Sequence, residues 1–460
     1  MDDLVQALAG IVGQANVATG ADAAPWASDW TDQYRGEPLA VARPGDRDQV
    51  AAILRLAGAR GLPVVPVSGN TGLNGGAMGK GAIMLSLDRM RRVREINPRA
   101  RTAVVEAGVV VATLDAAAEE HGLTFPLAFG ASGQAMIGGV LSTNAGGANV
   151  LRYGNTRDLC LGLEVVLADG RVLDLMQALH KNNSGLDLRD LMIGAEGQLG
   201  IITAAVVKLH PRPEGRVTAM VAMASLDGAT DLLNALQDAS GHAVVAFEFM
   251  SRAHVEGHLA LRPDAREPFE APHAVNLLVE LAATRQESLG TVLEQVLAAY
   301  LEDGAISDAV IAASEGQRRE MWSRREAAAE IAFARRPVID TDIALPRDRV
   351  GDFLRDIEPG LKALDPGCEV LSVAHLGDGN IHYTCWPSRD DAGLKDALRA
   401  EIDRLAVAMN GTFSAEHGVG LSKLGSMSRH KDPVALEVMR AIKDALDPQG
   451  ILNPGKTIPR

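Results

Sequence analysis

The sequence predicts an α+β protein of two or three domains, with an antiparallel sheet and flanking helices in its middle part. Three observations carry that expectation. At 460 residues the chain is too long for a single hydrophobic core. Its middle alternates strand-like and helix-like stretches whose strands keep two distinct faces. Finally, Asp-Gly pairs at Asp169-Gly170 and Asp378-Gly379 sit between extended segments. Such a pair is a strong hairpin signal, because a two-residue type I′ loop needs positive φ at both positions.

Taken in order, residues 1–45 read as a short amphipathic helix and an irregular entry segment bearing Trp and Pro. Asp46–Arg60 has the helical period of Val50, Ile53, Leu54 and Ala57, and is stopped by Gly61 and Pro63. Strands follow at Val64–Val67, Ile83–Leu87 and Ala103–Val109, with a helix around Thr113–His121. Leu163–Ala168 and Arg171–Leu175 form a hairpin about Asp169-Gly170, and Ile201–Leu209 is a further strand before Pro211 and Pro213. In the middle, Val217–Met223, Ala243–Met250, Val275–Leu281 and Ala309–Ile311 read as strands, separated by helices at Asp227–Ala239 and Glu287–Asp303. Ser314-Glu-Gly-Gln317 is a capping-box pattern opening a helix expected to reach Arg335. A helix at Ala392–Met409 follows, and Asp432-Pro433 supplies the N-cap and first residue of the last one. The expected domains are 1–212, 213–408 and a C-terminal segment, 409–460.

Composition narrows the function. The chain is 47% hydrophobic with 3% aromatics, and a formal charge of −14 without a basic block argues against nucleic acid and anionic membranes. Cys160, Cys368 and Cys385 make no C-x-x-C pair, against a disulfide scaffold, a Cys-ligated zinc or an iron–sulfur cluster. The start of the chain has no basic n-region, and no apolar run reaches membrane-spanning length, so the expected location is cytoplasmic.

Three segments carry more glycine than packing needs: Ser68–Ala77, Phe129–Gly147 and Ile193–Ile202. Glycine lets the main chain approach a ligand and turn its N–H groups toward a pyrophosphate. A Walker loop is excluded, since Asn74 stands where the first glycine should be and no Ser or Thr follows Lys80. No G-x-G-x-x-G runs from a strand into a helix, which excludes a Rossmann reading.

The second constellation is His375-Leu-Gly-Asp-Gly-Asn-Ile-His382. With Asp378-Gly379 as a two-residue loop, His375 pairs directly with His382, and opposed residues share a face at roughly 4.5–5.5 Å between Cβ atoms. That suits two imidazoles on one divalent metal. Two unrelated histidines flanking a turn are the alternative. Glu416-His417, in a glycine-rich setting, adds a carboxylate and a third imidazole.

Pro66-Val-Ser-Gly-Asn-Thr-Gly-Leu-Asn-Gly-Gly-Ala77, the run Ile137-Gly-Gly to Arg152-Tyr-Gly-Asn-Thr-Arg157, and Gly194-Ala-Glu-Gly-Gln-Leu-Gly-Ile-Ile-Thr203 resemble the flavin-binding half of the vanillyl-alcohol-oxidase (PCMH-type FAD-binding) superfamily. The histidine hairpin, Glu416-His417 and the tail Leu446-Asp-Pro-Gln-Gly-Ile-Leu-Asn-Pro-Gly-Lys456 resemble the C-terminal half of its D-2-hydroxy-acid dehydrogenase branch, which includes D-lactate, glycolate and D-2-hydroxyglutarate dehydrogenases. The likeness runs from about residue 35 onward. It implies a PCMH-type FAD domain of two α+β subdomains, an antiparallel-sheet substrate domain, and a C-terminal segment returning to the FAD domain.

Carried over by position, the resemblance implies that Pro66, Ser68, Gly69, Asn70, Thr71, Gly72, Leu73, Gly75 and Gly76 wrap the pyrophosphate. Ser132, Gly133, Ile137, Gly138, Gly139, Thr143, Asn144, Gly146 and Gly147 would line the flavin. Glu196, Gly197, Gly200 and Ile202 would lie toward the adenosine end, and Asn453 near the ring. Superfamily members that tether FAD covalently use His or Cys in such loops. Ser68–Ala77 and Phe129–Gly147 contain neither, so non-covalent FAD is expected. His375, His382 and Glu416 would ligate a divalent metal, zinc first and manganese second, with His417 as the base. Arg325 would clamp the substrate carboxylate, with Arg324 its rival.

The 2-hydroxyglutarate enzymes carry a threonine one turn after that arginine, a lysine before the Asp-x-x-x-Pro strand, and an asparagine two residues after the second histidine. This chain has Ala329, Asp340 and Thr384 there, and Arg335 or Arg336 is the candidate replacement cation. The expected reaction is oxidation of a small D-2-hydroxy acid to the 2-oxo acid by a homodimer, with Thr384 near the substrate. With no iron–sulfur cysteines, electrons would leave to an electron-transfer flavoprotein, a quinone, a dye or oxygen. The rival readings are an FAD-dependent transferase of the same superfamily and a flavin-free metalloprotein.

Overall fold

The computed structural model describes residues 2–284 and 289–459. The chain divides into two compact units: residues 1–146, 153–212 and 416–460 form one, and residues 147–152 and 213–415 the other. The fold is α+β, with helices packed on sheets.

The first unit holds two main sheets. Strands β1 (Val17–Ala18), β2 (Ala40–Ala42), β3 (Val64–Val67) and β4 (Ile83–Ser86) form a mixed sheet in the order β1-β2-β4-β3, with β4 parallel to both β2 and β3. The helix Arg47–Arg60 covers it with Val50, Ile53, Leu54 and Ala57. Its ends follow from the sequence: the Asp46 carboxylate accepts from Gln49 N at 2.9 Å, and Gly61 takes the left-handed conformation at φ 62°. Strands β5 (Val93–Asn97), β6 (Thr102–Glu106), β8 (Cys160–Val166), β9 (Val172–Leu175) and β10 (Ile201–Lys208) make an antiparallel sheet in the order β5-β6-β10-β8-β9. Two short strands, β7 (Leu123–Thr124) and β11 (His210–Pro211), pair separately. The end of the chain returns to β3, where Val64 N donates to Ile451 O at 2.7 Å and Asn453 N to Val64 O at 2.8 Å.

The second unit is built on one antiparallel sheet of seven strands. They are β12 (Gly215–Met223), β13 (Val244–Ser251), β14 (Val275–Ala283), β15 (Asp308–Ile311), β16 (Ile339–Ala344), β17 (Glu369–His375) and β18 (Asn380–Trp386), in the order β15-β12-β14-β13-β17-β18-β16. Because side chains alternate along each strand, one face takes Phe247, Phe249, Ala374, Ile381 and Tyr383 into a core with the helices Ala229–Ser240, Leu289–Glu302, Val350–Leu364 and Ala392–Ala408. The other face carries Met220, Met250, Leu278 and Val373 beneath Met321, Ala327 and Ile331. Of the helix expected at Glu287–Asp303, Glu287 and Ser288 lie outside the described residues. The unit continues to Ala415 because Thr412 exchanges two hydrogen bonds with Ala344, and Ala415 N donates to Asp342 O at 3.2 Å.

Three local expectations need correction. The β17–β18 ladder pairs His375 with Asn380 and Val373 with His382, so the loop is Leu376–Gly379 and the two histidines are not directly opposed. Of Asp378 and Gly379 only the glycine has positive φ, at 86°, whereas a type I′ pair needs both. Asp378 N and Gly379 N both donate to His375 O, closing a wider turn. The β8–β9 turn behaves alike: Val166 pairs with Val172, and only Gly170 has positive φ. The helix opened by Ser314 ends at Glu326. The chain bends at Ala327, where ψ is 0°, and a second helix, Ala328–Phe333, lays Ile331 and Ala332 on the sheet.

Candidate active site

Across the second face of the seven-stranded sheet runs a row of six polar side chains, one on each strand except β15. Ladder register places Thr218 opposite Glu280 and Glu248 opposite His375. His382 stands opposite Val373, two residues from His375 on the same face, and Asp342 opposite His382. Diagonal neighbours of this kind remain within reach of long or ring side chains. The imidazoles of His375 and His382 meet edge to face with centroids 5.4 Å apart. The shared face expected from the sequence therefore holds, through a diagonal pairing.

His375 is fixed from beneath by Glu248. Nδ1 of the imidazole lies 2.9 Å from Oε1 of Glu248 and 2.8 Å from Oε2. Glu248 is 1% exposed, and its Oε2 also accepts from Nε of Arg325 at 2.8 Å. Burial pushes this carboxyl up, but the charges of His375 and Arg325 outweigh it and hold the group below the usual range. Arg325 is itself buried, with Nη2 at 3.4 Å from both ring nitrogens of His375. Arg324 points elsewhere: its Nη2 donates to Arg266 O at 3.0 Å and its carbonyl bonds His254 Nε2 at 2.7 Å. Of the two arginines, Arg325 is the one beside His375.

The helix bearing Arg325 is locked by a second buried carboxylate. Glu280 accepts from Arg318 Nε at 2.7 Å, Trp322 Nε1 at 2.8 Å, Thr218 Oγ1 at 2.7 Å and Arg216 Nη1 at 2.9 Å. Arg318, Trp322 and Arg325 stand at helical spacing on one face, so Glu280 and Glu248 hold two successive turns. Further along, Thr384 Oγ1 donates to Asp340 Oδ1 at 2.8 Å, on the same face as His382. Arg335 is taken up by Glu369 at 2.7 and 2.8 Å over the Trp386 ring, and Arg336 stacks on Phe333.

Glu416 follows Ala415 directly, so one peptide bond separates it from the segment tied to β16. From there the chain belongs to the first unit. Asn74 Nδ2 donates to His417 O at 3.0 Å and to Gly418 O at 2.8 Å, and the Glu196 carboxylate accepts from Val419 N and Gly420 N, each at 2.8 Å. Gly418 and Gly420 have positive φ, 72° and 52°, which makes this bend possible. Burial pushes the Glu196 carboxyl up despite those two amides. Asn453 Nδ2 donates to Gly76 O at 3.1 Å and Glu196 O at 2.8 Å, and its Oδ1 accepts from Lys456 Nζ at 2.7 Å. Burial lowers the Lys456 ammonium to about 8. Glu196 and Asn453 thus spend their side chains joining the tail to the glycine loops.

Those loops divide by what surrounds each glycine. A Cβ on Gly69 would strike the main chain of Gln134, one on Gly197 would meet Pro66 Cγ at 2.5 Å, and one on Gly138 would meet Ala107 Cβ at 2.8 Å. These glycines let Ser68–Ala77, Phe129–Gly147 and Ile193–Ile202 pack together. At Gly72 and Gly133 nothing lies within 4 Å of an added Cβ. Open space above an absent side chain is what a ligand lying on the main chain needs, and it fits a pyrophosphate-bearing cofactor. Ile137 and Ile202 are core residues, and Asn144 caps the helix Ile137–Thr143 at φ 52° while its Oδ1 accepts from Arg157 N at 2.9 Å.

Comparison with known proteins matches both halves. Residues 38–176 fit the family described as FAD binding domain, and residues 212–457 the one described as FAD linked oxidases, C-terminal domain. A D-2-hydroxyglutarate dehydrogenase of Stutzerimonas stutzeri (strain A1501) is 36% identical over 98% of this chain and 98% of its own length. The mitochondrial D-2-hydroxyglutarate dehydrogenase of Bos taurus is 37% identical over 94% of this chain and 79% of that protein. Among solved structures, p-cresol methylhydroxylase with substrate bound superposes with TM-score 0.75 at 17% identity over 100% of this chain and 96% of that one. Alkyldihydroxyacetonephosphate synthase gives 0.74 at 16% identity, covering 99% and 85%. At these identities the two structures establish the PCMH-type fold.

Proposed function

The chain belongs to the family of FAD-linked oxidases that includes the D-2-hydroxyglutarate dehydrogenases, and on that premise we propose that this FAD-dependent oxidoreductase oxidises a D-2-hydroxy acid to the 2-oxo acid. The observation that carries the substrate class is the cluster of buried Arg325 and Glu248 with half-buried His375 beside His382. It sets a guanidinium, which suits a carboxylate, next to imidazoles that suit a divalent metal.

We assign flavin binding to the first unit and substrate binding to the second, whose sheet domain runs to Ala415 where the sequence placed its end at residue 408. FAD would rest non-covalently on Ser68–Gly76, Ser132–Gly139 and Asn144–Gly147, with Glu196, Gly197, Gly200, Ile202 and Asn453 shaping the loops around it. When bound, FAD would supply the acceptor for the C2 hydride, and the outside electron acceptor would be an electron-transfer flavoprotein, a quinone or oxygen. His375, His382 and Glu416 would hold one divalent ion, zinc first and manganese second, since two imidazoles and a carboxylate with open positions suit a catalytic site. Such an ion would supply Lewis acidity to the substrate hydroxyl.

The chain's own groups do the rest. With Nδ1–H of His375 donated to Glu248, Nε2 carries the lone pair that a metal ion would take. Arg325 gives Nε to Glu248, and its guanidinium would meet the substrate carboxylate, which fixes C2 in orientation. His417 takes the hydroxyl proton. Thr384 and Asp340, neither of them a cation, border the far side of His382, and that favours a substrate without a second carboxylate.

Dye-linked oxidation across paired D- and L-2-hydroxy acids tests this reading. Turnover of D-monocarboxylates that stops on chelation and returns with zinc or manganese is expected. Indifference to chelation, or turnover of L-acids alone, would overturn it. In the same assay Arg325→Lys is expected to raise KM at least tenfold while flavin content stays at the parental level, because an ammonium cannot hold a carboxylate bidentately. Parental kinetics in Arg325→Lys beside a crippled Arg324→Lys would reassign the clamp.

A further inference from the structure

Glu248 touches both groups on which the proposed chemistry depends, and nothing in the sequence marked it. It is a carboxylate at 1% exposure in a strand otherwise read as apolar, Val-Val-Ala-Phe-Glu-Phe-Met. One oxygen meets His375 Nδ1 at 2.9 Å, and the other lies 2.8 Å from both His375 Nδ1 and Arg325 Nε. Its neighbour in the polar row, Glu280, is as deeply buried and as fully hydrogen-bonded, yet its partners are Arg216, Thr218, Arg318 and Trp322. The two carboxylates therefore separate structural burial from a role in the site.

We propose that Glu248 is a positioning residue that sets the His375 tautomer for metal binding and, through the same carboxylate, aims Arg325 at the substrate. The inference rests on the metal reading given above. Two N–H donors converge on Glu248, and a carboxylate can accept both. An amide of the same shape has one acceptor oxygen and turns an NH2 toward the other donor. In Glu248→Gln either His375 adopts the opposite tautomer, which puts a proton on the nitrogen meant for the ion, or Arg325 loses its anchor.

The test is zinc affinity of metal-stripped, FAD-loaded protein, measured by chelator competition for the parent, Glu248→Gln, Glu280→Gln and His382→Ala. Flavin content and thermal melting are read alongside. Glu248→Gln is expected to bind zinc about ten- to hundredfold more weakly at parental flavin content, the range typical for a partner that orients a ligating histidine. At saturating zinc its KM should remain about tenfold raised, because a charge-assisted bond to Arg325 is gone. Glu280→Gln should melt earlier yet keep zinc affinity within about threefold, since it touches no ligand. Parental zinc affinity in Glu248→Gln overturns the inference, and so does an equal loss in Glu280→Gln, which would mark a general effect of a buried charge. Glu248→Asp withdraws the carboxylate by one methylene and covers the case in which the amide variant does not fold. A smaller loss of the same kind is expected there, and parental affinity overturns the inference again. A parent that binds no zinc refutes the metal reading instead, and His382→Ala distinguishes zinc held at this site from zinc held elsewhere.

Discussion

Replacing His382 with alanine is expected to remove both the bound ion and hydroxy-acid oxidation while leaving FAD in place. His382 sits on β18 between β17 and β16, with its ring against that of His375. Alanine deletes a ligand without touching the ladder hydrogen bonds, so the sheet persists. The loss should exceed the ten- to hundredfold typical of a residue that only supports a ligand. The glycine loops proposed to hold flavin belong to the other compact unit, which is why cofactor content should hold. Metal analysis beside flavin absorbance decides it, and full occupancy in His382→Ala would refute the site.

His417→Ala should behave in the opposite way, keeping the ion and losing turnover by ~10²–10⁴-fold, the usual contribution of a positioned base. Asn74 grips the main-chain carbonyls of His417 and Gly418, not the imidazole, so the bend survives the substitution. A base is needed only as the proton leaves, so kcat should fall with little change in KM or zinc affinity. Loss of zinc from this variant would make His417 a ligand and send the search for the base elsewhere.

Much of this was legible in the sequence, for reasons that differ from element to element. The helix at Arg47–Arg60 begins and ends where Asp46 and Gly61 predict, since capping is local chemistry. The glycine-rich setting of Glu416-His417 was visible, and Gly418 and Gly420 serve the bend there because few other residues tolerate their φ. The hairpin was placed correctly and its register was not. Asp-Gly is permissive for several turns, and Gly377 N bonding to Phe247 O helps select the wider one through contacts distant in sequence. The helix Val350–Leu364 went unread because Pro359 lies within it, and proline usually signals a boundary. Glu248 was illegible for a deeper reason. It meets His375 across 127 residues of chain, and only strand order brings β13 beside β17. A single glutamate in an apolar strand gives no periodic or spacing signal.

The most direct measurement is anaerobic titration of the oxidised holoenzyme with one 2-hydroxy acid at a time, following the visible flavin absorbance. If the chain uses FAD to oxidise D-2-hydroxy acids, a D-enantiomer should bleach the flavin in a single turnover and yield one 2-oxo acid per flavin. The L-enantiomer should leave the spectrum unchanged. A flavin that dithionite bleaches but no D-2-hydroxy acid does, with zinc bound at full occupancy, would contradict the account.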